Sequence, residues 1–342
     1  MAPAKIRWGI LGCARIAERA LIPAFQEAKN AELFGIAARD EARAAAWAAK
    51  FKIPKSYGDY GALLQDPDIR AVYIPLPNHL HAEWTIGAAR AGKHILCEKP
   101  LALNASEVEA IFAVARASNV QVMEAFMYRF HPQFEKTLAL VRSGAIGDIR
   151  AVHATFSFVL SGPKDDYRRN ADMGGGALYD VGCYVINASR TIFGTEPVSV
   201  FAKARLEPET GIDLATSLLL EYPGDRHALL DCAFDAQFQS RVEVAGTRGR
   251  ITLPRAFSAK HFDVQVQIAK GNDVETHLVP ARNQYTRMVE HFGEAVLGLR
   301  PVLYGESDAL GNARVIDAAL ASLATGQCVA LNESTDINEE AP

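Results

Sequence analysis

The first 125 residues alternate between short apolar runs and longer stretches in which apolar residues recur every three or four positions. The short runs predict strands over residues 6–11, 32–38, 71–74, 94–98 and 120–123. The longer stretches predict helices over residues 14–28, 41–51, 80–91 and 106–118. Strand–helix alternation of this kind favours a doubly wound parallel sheet, so residues 1–125 are predicted to form an α/β domain of the Rossmann type.

The pattern changes near residue 130, and helices are predicted over 132–143, 177–193, 284–297 and 307–325. Strand-length runs with turn residues between them follow one another over 148–160, 198–206, 213–222, 227–234, 239–245, 250–254, 262–268 and 274–279. Successive strands joined by short turns indicate an antiparallel sheet. Residues 126–342 are therefore predicted to form an open antiparallel α+β domain for substrate binding and oligomerisation. Its last helix, 307–325, is expected to pack back on the first domain.

The amino-acid composition limits the classes of molecule that the protein is expected to bind. Hydrophobic residues make up 49% of the 342 residues and charged residues 22%, with a net charge of −4. This balance is typical of a globular protein and gives no electrostatic reason to expect nucleic acid or a membrane surface as a partner. The five cysteines lack the spacing of a zinc site or a disulfide framework, which favours reduced thiols, a cytoplasmic location and no bound metal.

Small residues follow the first predicted strand. Gly12, Ala14 and Ala17 occupy the three positions where a dinucleotide-binding turn requires a tight bend, close approach to the pyrophosphate and helix–strand packing. The start of the next helix would offer unpaired N–H groups to an anion. We therefore expect the turn to bind a dinucleotide through Gly12, Cys13, Ala14, Arg15 and Ile16.

The end of the second strand indicates which dinucleotide. A cofactor without a 2′-phosphate usually needs a carboxylate at this position, but Ala38 and Arg39 stand there. Arg39, helped by Arg43 one turn later, can bind a 2′-phosphate. Asp40 competes for the cofactor role, although its position suits a helix N-cap. The prediction is NADP(H) in preference to NAD(H).

The loop after the third predicted strand contains two prolines and two histidines. Pro75, Leu76, Asn78 and His79 are expected to line the cofactor, with Asn78 also capping the following helix. His79 is expected to pack against the cofactor, and His81 to be solvated or to start the helix, because no third residue completes a metal site.

The strand ending at Glu98 runs directly into Lys99 and Pro100. Proline restricts the preceding residue to extended conformations, so the Lys99 ammonium would have a defined direction at the carboxyl end of a strand. Ligands bind at that edge in open α/β sheets. Glu98 and Lys99 are therefore candidate cofactor-binding residues and Lys99 a candidate proton donor, the alternative being a surface lysine in an ordinary loop.

A glycine-rich segment introduces the second half of the site. Gly174, Gly175 and Gly176 let the backbone pass close to another group before a helix begins. Asp180 and Tyr184 follow four residues apart, on one predicted helix face. A carboxylate and a phenol placed this way can serve acid–base chemistry; the alternative is a buried polar contact and a core aromatic residue.

Together, these motifs resemble the Gfo/Idh/MocA family of pyridine-nucleotide oxidoreductases over nearly the whole chain. The resemblance rests on the Gly12–Ala17 turn, the proline-rich loop, Glu98-Lys99-Pro100 and the 174–184 segment. It implies that Lys99 and Asp180 are active-site groups and that the Lys99–Pro100 bond is cis. Tyr184, where many members have histidine, resembles the branch with glucose–fructose oxidoreductase, NADP-dependent xylose dehydrogenase, dihydrodiol dehydrogenase and the deoxysugar C-3 ketoreductases.

The same resemblance implies a pocket lined by part of the 123–132 segment. Arg129, Phe130 and His131 are the substrate-binding candidates there, and Asp166, Tyr167 and Arg168 are candidates for the rim. Asp180 and Tyr184 would also bind substrate. The family often assembles through its antiparallel sheet, which implies a homodimer or homotetramer.

The expected activity is NADP(H)-dependent hydride transfer to or from a sugar carbon, with Tyr184 as acid–base group, Lys99 as its electrostatic partner and Asp180 orienting the substrate. An aldose 1-dehydrogenase of the xylose or glucose type is favoured. The alternatives are a keto-sugar reductase (acting on a deoxysugar C-3 or an anhydro-keto-sugar), a trans-dihydrodiol dehydrogenase, and a non-catalytic NADP(H)-sensing scaffold.

Overall fold

The structure, a computed structural model, describes residues 5–163, 165–260 and 262–331. It divides into two compact units. The first contains the described residues up to Met127 together with Asn283–Ala309, and the second contains Tyr128–Arg282 and the described residues from Leu310 onward. The chain therefore returns to its first unit late, through Asn283–Ala309. The packing of the predicted 307–325 helix on the first domain stays a prediction. The functional boundary predicted after residue 125 stays a prediction.

The first unit is built on a six-stranded sheet. Its strands are β1 (Ile6–Leu11), β2 (Ala31–Ala37), β3 (Lys55–Tyr57), β4 (Ala71–Ile74), β5 (His94–Cys97) and β6 (Val122–Glu124). Its helices are α1 (Ile22–Glu27), α2 (Glu41–Phe51), α3 (Tyr60–Gln65), α4 (His81–Arg90), α5 (Ala105–Ala117) and α8 (Gln284–Val296). The strands are parallel in the order β3-β2-β1-β4-β5-β6, which confirms the predicted doubly wound sheet. The short elements β3 and α3 were not predicted.

The predicted 14–28 helix is not uniform. A π-helical turn covers Ala17–Leu21 before α1 begins at Ile22. Pro23 stands in the first turn of α1 and has no N–H to donate, so the regular i→i−4 hydrogen bond is lost at that point. A wider turn just before a proline is one way for the helix to accommodate this loss.

The returning helix α8 completes the core of the first unit. The ring of Phe292 lies 5.7 Å from that of Trp8, which in turn lies 5.0 Å from the ring of Phe25 on α1. All three side chains are buried. Asn30 donates a 2.7 Å hydrogen bond to the carbonyl of Glu290, which joins α8 to the turn before β2. The first unit is thus closed by residues that lie far from it in sequence.

The second unit is built on a nine-stranded sheet. Its strands are β7 (Ile149–Ser157), β8 (Ser199–Leu206), β9 (Asp213–Tyr222), β10 (Arg226–Ala233), β11 (Gln239–Gly246), β12 (Arg250–Leu253), β13 (Val264–Lys270), β14 (Asp273–Val279) and β15 (Val329–Ala330). The remaining helices are α6 (Pro132–Arg142), α7 (Cys183–Phe193) and α9 (Glu306–Thr325), whose first four residues belong to the first unit. The order is β14-β13-β12-β11-β7-β10-β9-β8-β15.

The predicted antiparallel sheet is confirmed, with one pair of parallel strands. Neighbours named above pair antiparallel except β7 and β10, which run parallel at the centre. β10 arrives at β7 after two intervening strands, so this pairing does not follow from a local hairpin.

The two faces of this sheet differ. Along β9, Leu218 and Leu220 are buried, whereas Leu219 between them is exposed. Leu219 is the register partner of Phe201 on β8 and of Leu229 on β10. These three side chains are 36%, 39% and 45% exposed and form an apolar row across the outer face. Among the helices of the described residues, none is long and apolar enough to cross a bilayer.

Candidate functional site

The turn after β1 requires a glycine. Gly12 has φ +109°, which side chains rarely adopt, and a Cβ there would lie 2.9 Å from Cδ2 of Leu76. Its N–H donates a 2.9 Å hydrogen bond to the carbonyl of Ala37 at the end of β2. Ala14 is half-buried and Ala17 buried, while Arg15 is exposed and Ile16 intermediate. The turn thus has the small residues and tight bend that a dinucleotide phosphate needs.

Charged residues surround this turn. Asp40 caps α2 by accepting hydrogen bonds from the N–H groups of Ala42 and Arg43, at 3.0 and 3.3 Å, which confirms its predicted capping role. The Arg43 guanidinium donates a 2.9 Å hydrogen bond to the carbonyl of Cys13. Burial raises the pKa of Cys13, and the nearby Arg43 opposes that rise. Ala38 is buried, and Arg39 is exposed at the end of β2. The turn therefore has guanidinium groups beside it, and Oδ1 of Asp40 is engaged by the start of α2.

The proline-rich loop differs from the sequence prediction at Asn78. Asn78 is buried and begins a 3₁₀ turn over Asn78–Leu80, and α4 has no side-chain cap, so the predicted capping role is wrong. The 3₁₀ turn moves the helix start to His81, so the N-cap position falls on Leu80, two residues after Asn78. Pro75 and Leu76 are buried, and the buried Nδ1 of His79 has no hydrogen-bond partner in the described parts of the chain.

His81 is the first residue of α4, which confirms the predicted helix start, but it is fully buried, so the alternative of a solvated side chain is wrong. Its Nδ1 lies 2.7 Å from the carbonyl oxygen of Pro100 and its Nε2 lies 2.8 Å from that of Leu76. Burial lowers the pKa of His81 to about 4, while the two carbonyls oppose the decrease. His81 therefore joins the proline-rich loop to the turn that follows Lys99.

Lys99 stands in a turn fixed by buried partners. The Lys99–Pro100 bond is cis, as the family resemblance implied. The Leu101 N–H donates a 2.8 Å hydrogen bond to Oε1 of the buried Glu124 on β6. His81 contacts the carbonyl of Pro100 from the other side. The backbone on which the half-exposed Lys99 is mounted is therefore held by two polar side chains.

Two tyrosines that sequence reasoning missed lie near Glu98. Tyr73 on β4 is fully buried, and its hydroxyl donates a 2.5 Å hydrogen bond to Oε1 of Glu98. Burial and then Glu98 raise the pKa of Tyr73. Burial and Glu98 likewise raise the pKa of Tyr285 on α8, and Lys99 opposes that rise. Tyr285 lies far along the chain, so no local signal pointed to it.

In the second unit, the glycine-rich turn approaches protein groups closely. Gly176 has φ +106°, and a Cβ there would overlap Oδ1 of Asp213. A π-helical segment, Leu178–Gly182, follows and leads directly into α7. Asp180 lies in the π-helical segment and Tyr184 in the first turn of α7. The predicted single α-helix over 177–193 is therefore wider at its start, a feature that is frequent at functional sites.

Asp180 is paired with a guanidinium. Its Oδ2 accepts a 2.9 Å hydrogen bond from Nε of Arg168. The same arginine lies 3.3 Å from Oδ1 of Asp166 and 4.6 Å from the centre of the Tyr167 ring. The neighbouring carboxylates, chiefly Asp180, raise the pKa of Arg168 against the opposing effect of burial. The structure thus brings the three predicted rim residues together with Asp180.

Tyr184 is enclosed by aromatic rings. It is 6% exposed, and its ring centre lies 5.3 to 5.8 Å from those of Phe156, Phe257 and Tyr128. The hydroxyl of Tyr128 donates a 2.7 Å hydrogen bond to Oδ1 of Asn187 on the next turn of α7. This packing fixes the plane of the Tyr184 ring.

The other predicted substrate residues are buried. Arg129 lies 3.4 Å from Oδ1 of Asn187, and Phe130 is 5% exposed. His131 is the N-cap of α6 and accepts a 3.2 Å hydrogen bond from the N–H of Gln133. The roles of these residues, like those of the other candidates, stay predictions. Within residues 5–163, 165–260 and 262–331, no three His, Cys, Asp or Glu side chains group as metal ligands would.

Comparison with known proteins places this site in a family. A model described as an oxidoreductase family with an NAD-binding Rossmann fold matches residues 6–126, and a GFO/IDH/MocA C-terminal-domain model matches residues 134–252. D-xylose 1-dehydrogenase (NADP(+)) 2 of Haloferax volcanii is 40% identical over 95% of this chain and 99% of its own length. Trans-1,2-dihydrobenzene-1,2-diol dehydrogenase of Xenopus tropicalis is 38% identical over 72% of this chain and 75% of its own.

A solved structure extends the comparison. A mutant of a 3-ketoreductase from Actinomadura kijaniata, in complex with TDP-benzene and NADP, superposes with a TM-score of 0.89 at 34% identity. The match covers 93% of this chain and 98% of that one. Both family models, the near-complete relatives and the two-sheet fold agree: the chain belongs to the Gfo/Idh/MocA family of oxidoreductases.

Proposed function

We propose that this chain is an NADP(H)-dependent sugar oxidoreductase that acts as an aldose 1-dehydrogenase of the xylose or glucose type. The Haloferax relative, which is named for oxidation of D-xylose with NADP(+), supports this choice through 40% identity over 95% of the chain. The retained Lys99, Asp180 and Tyr184 support a catalytic protein over an NADP(H)-sensing scaffold, because a sensor needs no proton donor.

The proposed preference for NADP(H) rests on the observation that Asp40 caps α2. Oδ1 of this carboxylate accepts hydrogen bonds from two N–H groups at the start of α2, which supports a capping role in preference to the binding of ribose hydroxyls. Arg39 is exposed beside it, and Arg43 lies against the Gly12 turn. A 2′-phosphate would meet guanidinium groups there, which bind it through charge-assisted hydrogen bonds.

The bound nicotinamide supplies or accepts the hydride, and the protein positions groups and moves a proton. Tyr184 acts as the hydroxyl acid–base group. The Lys99 ammonium polarises the substrate oxygen. Asp180 orients the substrate, held by Arg168 in a fixed direction. Arg129, Phe130, His131 and Tyr167 contribute to substrate binding.

The second candidate is a keto-sugar reductase, which the Actinomadura ketoreductase structure favours. A nucleotide-linked substrate would need free basic groups for its diphosphate. Arg168 is paired with Asp180, and Arg169 donates a 2.8 Å hydrogen bond to the carbonyl of Leu160. Both arginines of the 165–173 segment thus have partners within the protein, which supports a free sugar as the substrate.

A two-fold assembly through the outer sheet face is also proposed. The apolar row of Phe201, Leu219 and Leu229 is exposed, and a depression of about 620 Å³ on the same sheet is lined in part by Arg241 and Arg250. Contact of this row with the same row of a second copy would bury it, and it would give the self-complementary contact of an isologous dimer.

The purified protein should reduce NADP⁺ in the presence of D-xylose or D-glucose, measured as absorbance at 340 nm, and should reduce NAD⁺ more slowly at equal concentration. Polyols, keto-sugars and trans-dihydrodiols serve as the comparison substrates. Turnover confined to keto-sugars or dihydrodiols would replace the aldose proposal. Tight NADPH binding with no turnover on any substrate would favour the sensor.

Lys99→Met should lower kcat about a thousandfold, because the substrate oxygen loses the ammonium that polarises it while the apolar stem is retained. The dissociation constant for NADPH, measured by fluorescence, should stay within a few-fold of the wild-type value. The matched control is Lys270→Met at the exposed end of β13. Wild-type turnover by the Lys99 variant would remove this lysine from the mechanism.

Arg39→Ala should raise the KM for NADP⁺ by about 10- to 100-fold, the value of charge-assisted hydrogen bonds to a phosphate. The KM for NAD⁺, which has no 2′-phosphate, should change by less than about threefold and serves as the internal control. An equal rise in KM for both cofactors would show that Arg39 supports the structure of the turn and does not bind the 2′-phosphate.

Light scattering should give the mass of at least a dimer for the wild type, and Leu219→Lys combined with Leu229→Lys should give a monomer, because two charges would be buried in the apolar row. Leu299→Lys, an exposed site of the first unit, is the control and should leave the mass unchanged. A monomeric wild type would contradict the assembly.

A further inference from the structure

Asp213, the first residue of β9, is the group that the glycine-rich turn approaches. It lies in the second unit and was not a candidate from sequence, since it reads as an ordinary strand residue. Its Oδ2 accepts a 2.8 Å hydrogen bond from the N–H of Leu178 and a 2.6 Å hydrogen bond from the hydroxyl of Thr216. The N–H of Ala177 also donates to this carboxylate. The carboxylate therefore binds the first backbone donors of the segment that carries Asp180 and Tyr184.

The contact between the glycine-rich turn and Asp213 leaves little room for either group to move. Gly176 has φ +106°, and any side chain there would overlap Oδ1 of Asp213. Thr216 lies three residues along the same strand and is 1% exposed. The turn, the carboxylate and the hydroxyl thus form one closed set of contacts that joins the sheet to the start of the helical segment.

A cap at the start of the helical segment fixes the direction of that segment and also adds to its stability. The donors at the start of a helical segment have no partner within it, so an external carboxylate fixes where the segment begins. Asp180 is two residues beyond Leu178, and Tyr184 is one turn farther. A shift of the capped turn would therefore move the Asp180 carboxylate, and shifts of about 1 Å are costly for a reacting group.

We propose that Asp213 is a positioning residue that holds the 174–178 turn and thereby sets the orientation of Asp180 and Tyr184 for the reaction. This inference rests on the proposed function for its kinetic part only. It names no contact between Asp213 and substrate.

Burial disfavours the ionised form of the Asp213 carboxylate. Burial raises its pKa to about 6, and the hydrogen bonds from Thr216, from the N–H groups of Leu178 and Ala177 and from its own N–H oppose the rise. The other titratable group facing it is the Cys232 thiol on β10, whose pKa burial raises further, so this thiol stays neutral. Above pH 6 the ionised carboxylate can accept from all of these donors. Below pH 6 one oxygen carries a proton, and the neutral group accepts fewer hydrogen bonds, as an amide does.

The test compares Asp213→Asn and Asp213→Ala with the wild type at pH 8, where the wild-type carboxylate is ionised. We expect kcat to fall about tenfold in the Asn variant and further in the Ala variant, since the amide keeps one acceptor oxygen. The KM for NADP⁺ should be unchanged. As the pH falls through 6, the ratio of wild-type to Asn-variant kcat should approach one, because both side chains are then neutral.

The matched control is Asp273, the exposed first residue of β14, substituted in the same two ways. Its variants should keep the wild-type kcat and pH profile. The same constancy in the Asp213→Asn variant would overturn the proposal, as would a kcat ratio that does not change between pH 8 and pH 5.5.

Amide hydrogen exchange over residues 174–182, measured without cofactor or substrate, separates this inference from the proposed function. The Ala variant should exchange at least about tenfold faster in this segment than the wild type, and peptides from β13 and β14 should be unchanged. Faster exchange in a protein with no sugar turnover would support the positioning contact and reject the proposed substrate. Unchanged exchange would overturn the inference whatever the kinetics.

Discussion

Buried polar side chains that bind backbone groups hold both candidate loops. A polar group removed from water must find a partner, and the partner it finds is fixed in space. His81 contacts the carbonyls of Leu76 and Pro100, and Asp213 accepts from the start of the Asp180 segment. Each is a single side chain that joins two parts of the chain which otherwise have no regular pairing. The loops that carry Lys99 and Asp180 are irregular in sequence yet have defined positions.

The electrostatics of the two units differ in how carboxylates are used. In the first unit, Asp40 is engaged by the N–H groups of α2, so guanidinium groups dominate beside the Gly12 turn. In the second unit, Asp180 is paired with Arg168, which removes that arginine from other anions. The same physical effect, a carboxylate satisfied within the protein, supports a phosphate-bearing cofactor in one place and an uncharged substrate in the other.

Local patterns predicted much of the fold. The period of apolar residues placed β1, β2, β4 and β5 within a residue or two, and Asp40 was identified as a cap because its donors lie two and three residues away. The predictions that failed concern contacts between residues that lie far apart in the sequence. The burial of His81 is decided by a carbonyl 19 residues later, and the parallel pairing of β7 with β10 by strands about 75 residues apart. The mistaken cap at Asn78 is different: a 3₁₀ turn and an α-helix start with the same local signals.

The candidate site divides in the same way. Lys99, Asp180 and Tyr184 were singled out by short motifs, whereas Tyr73, Tyr285 and Asp213 had no motif of their own.

The late return of α8 has a further consequence for biosynthesis. Since Phe292 packs on Trp8, the emerging N-terminal sheet keeps apolar surface uncovered until nearly three hundred residues have left the ribosome. That surface is therefore accessible to other apolar segments during most of translation.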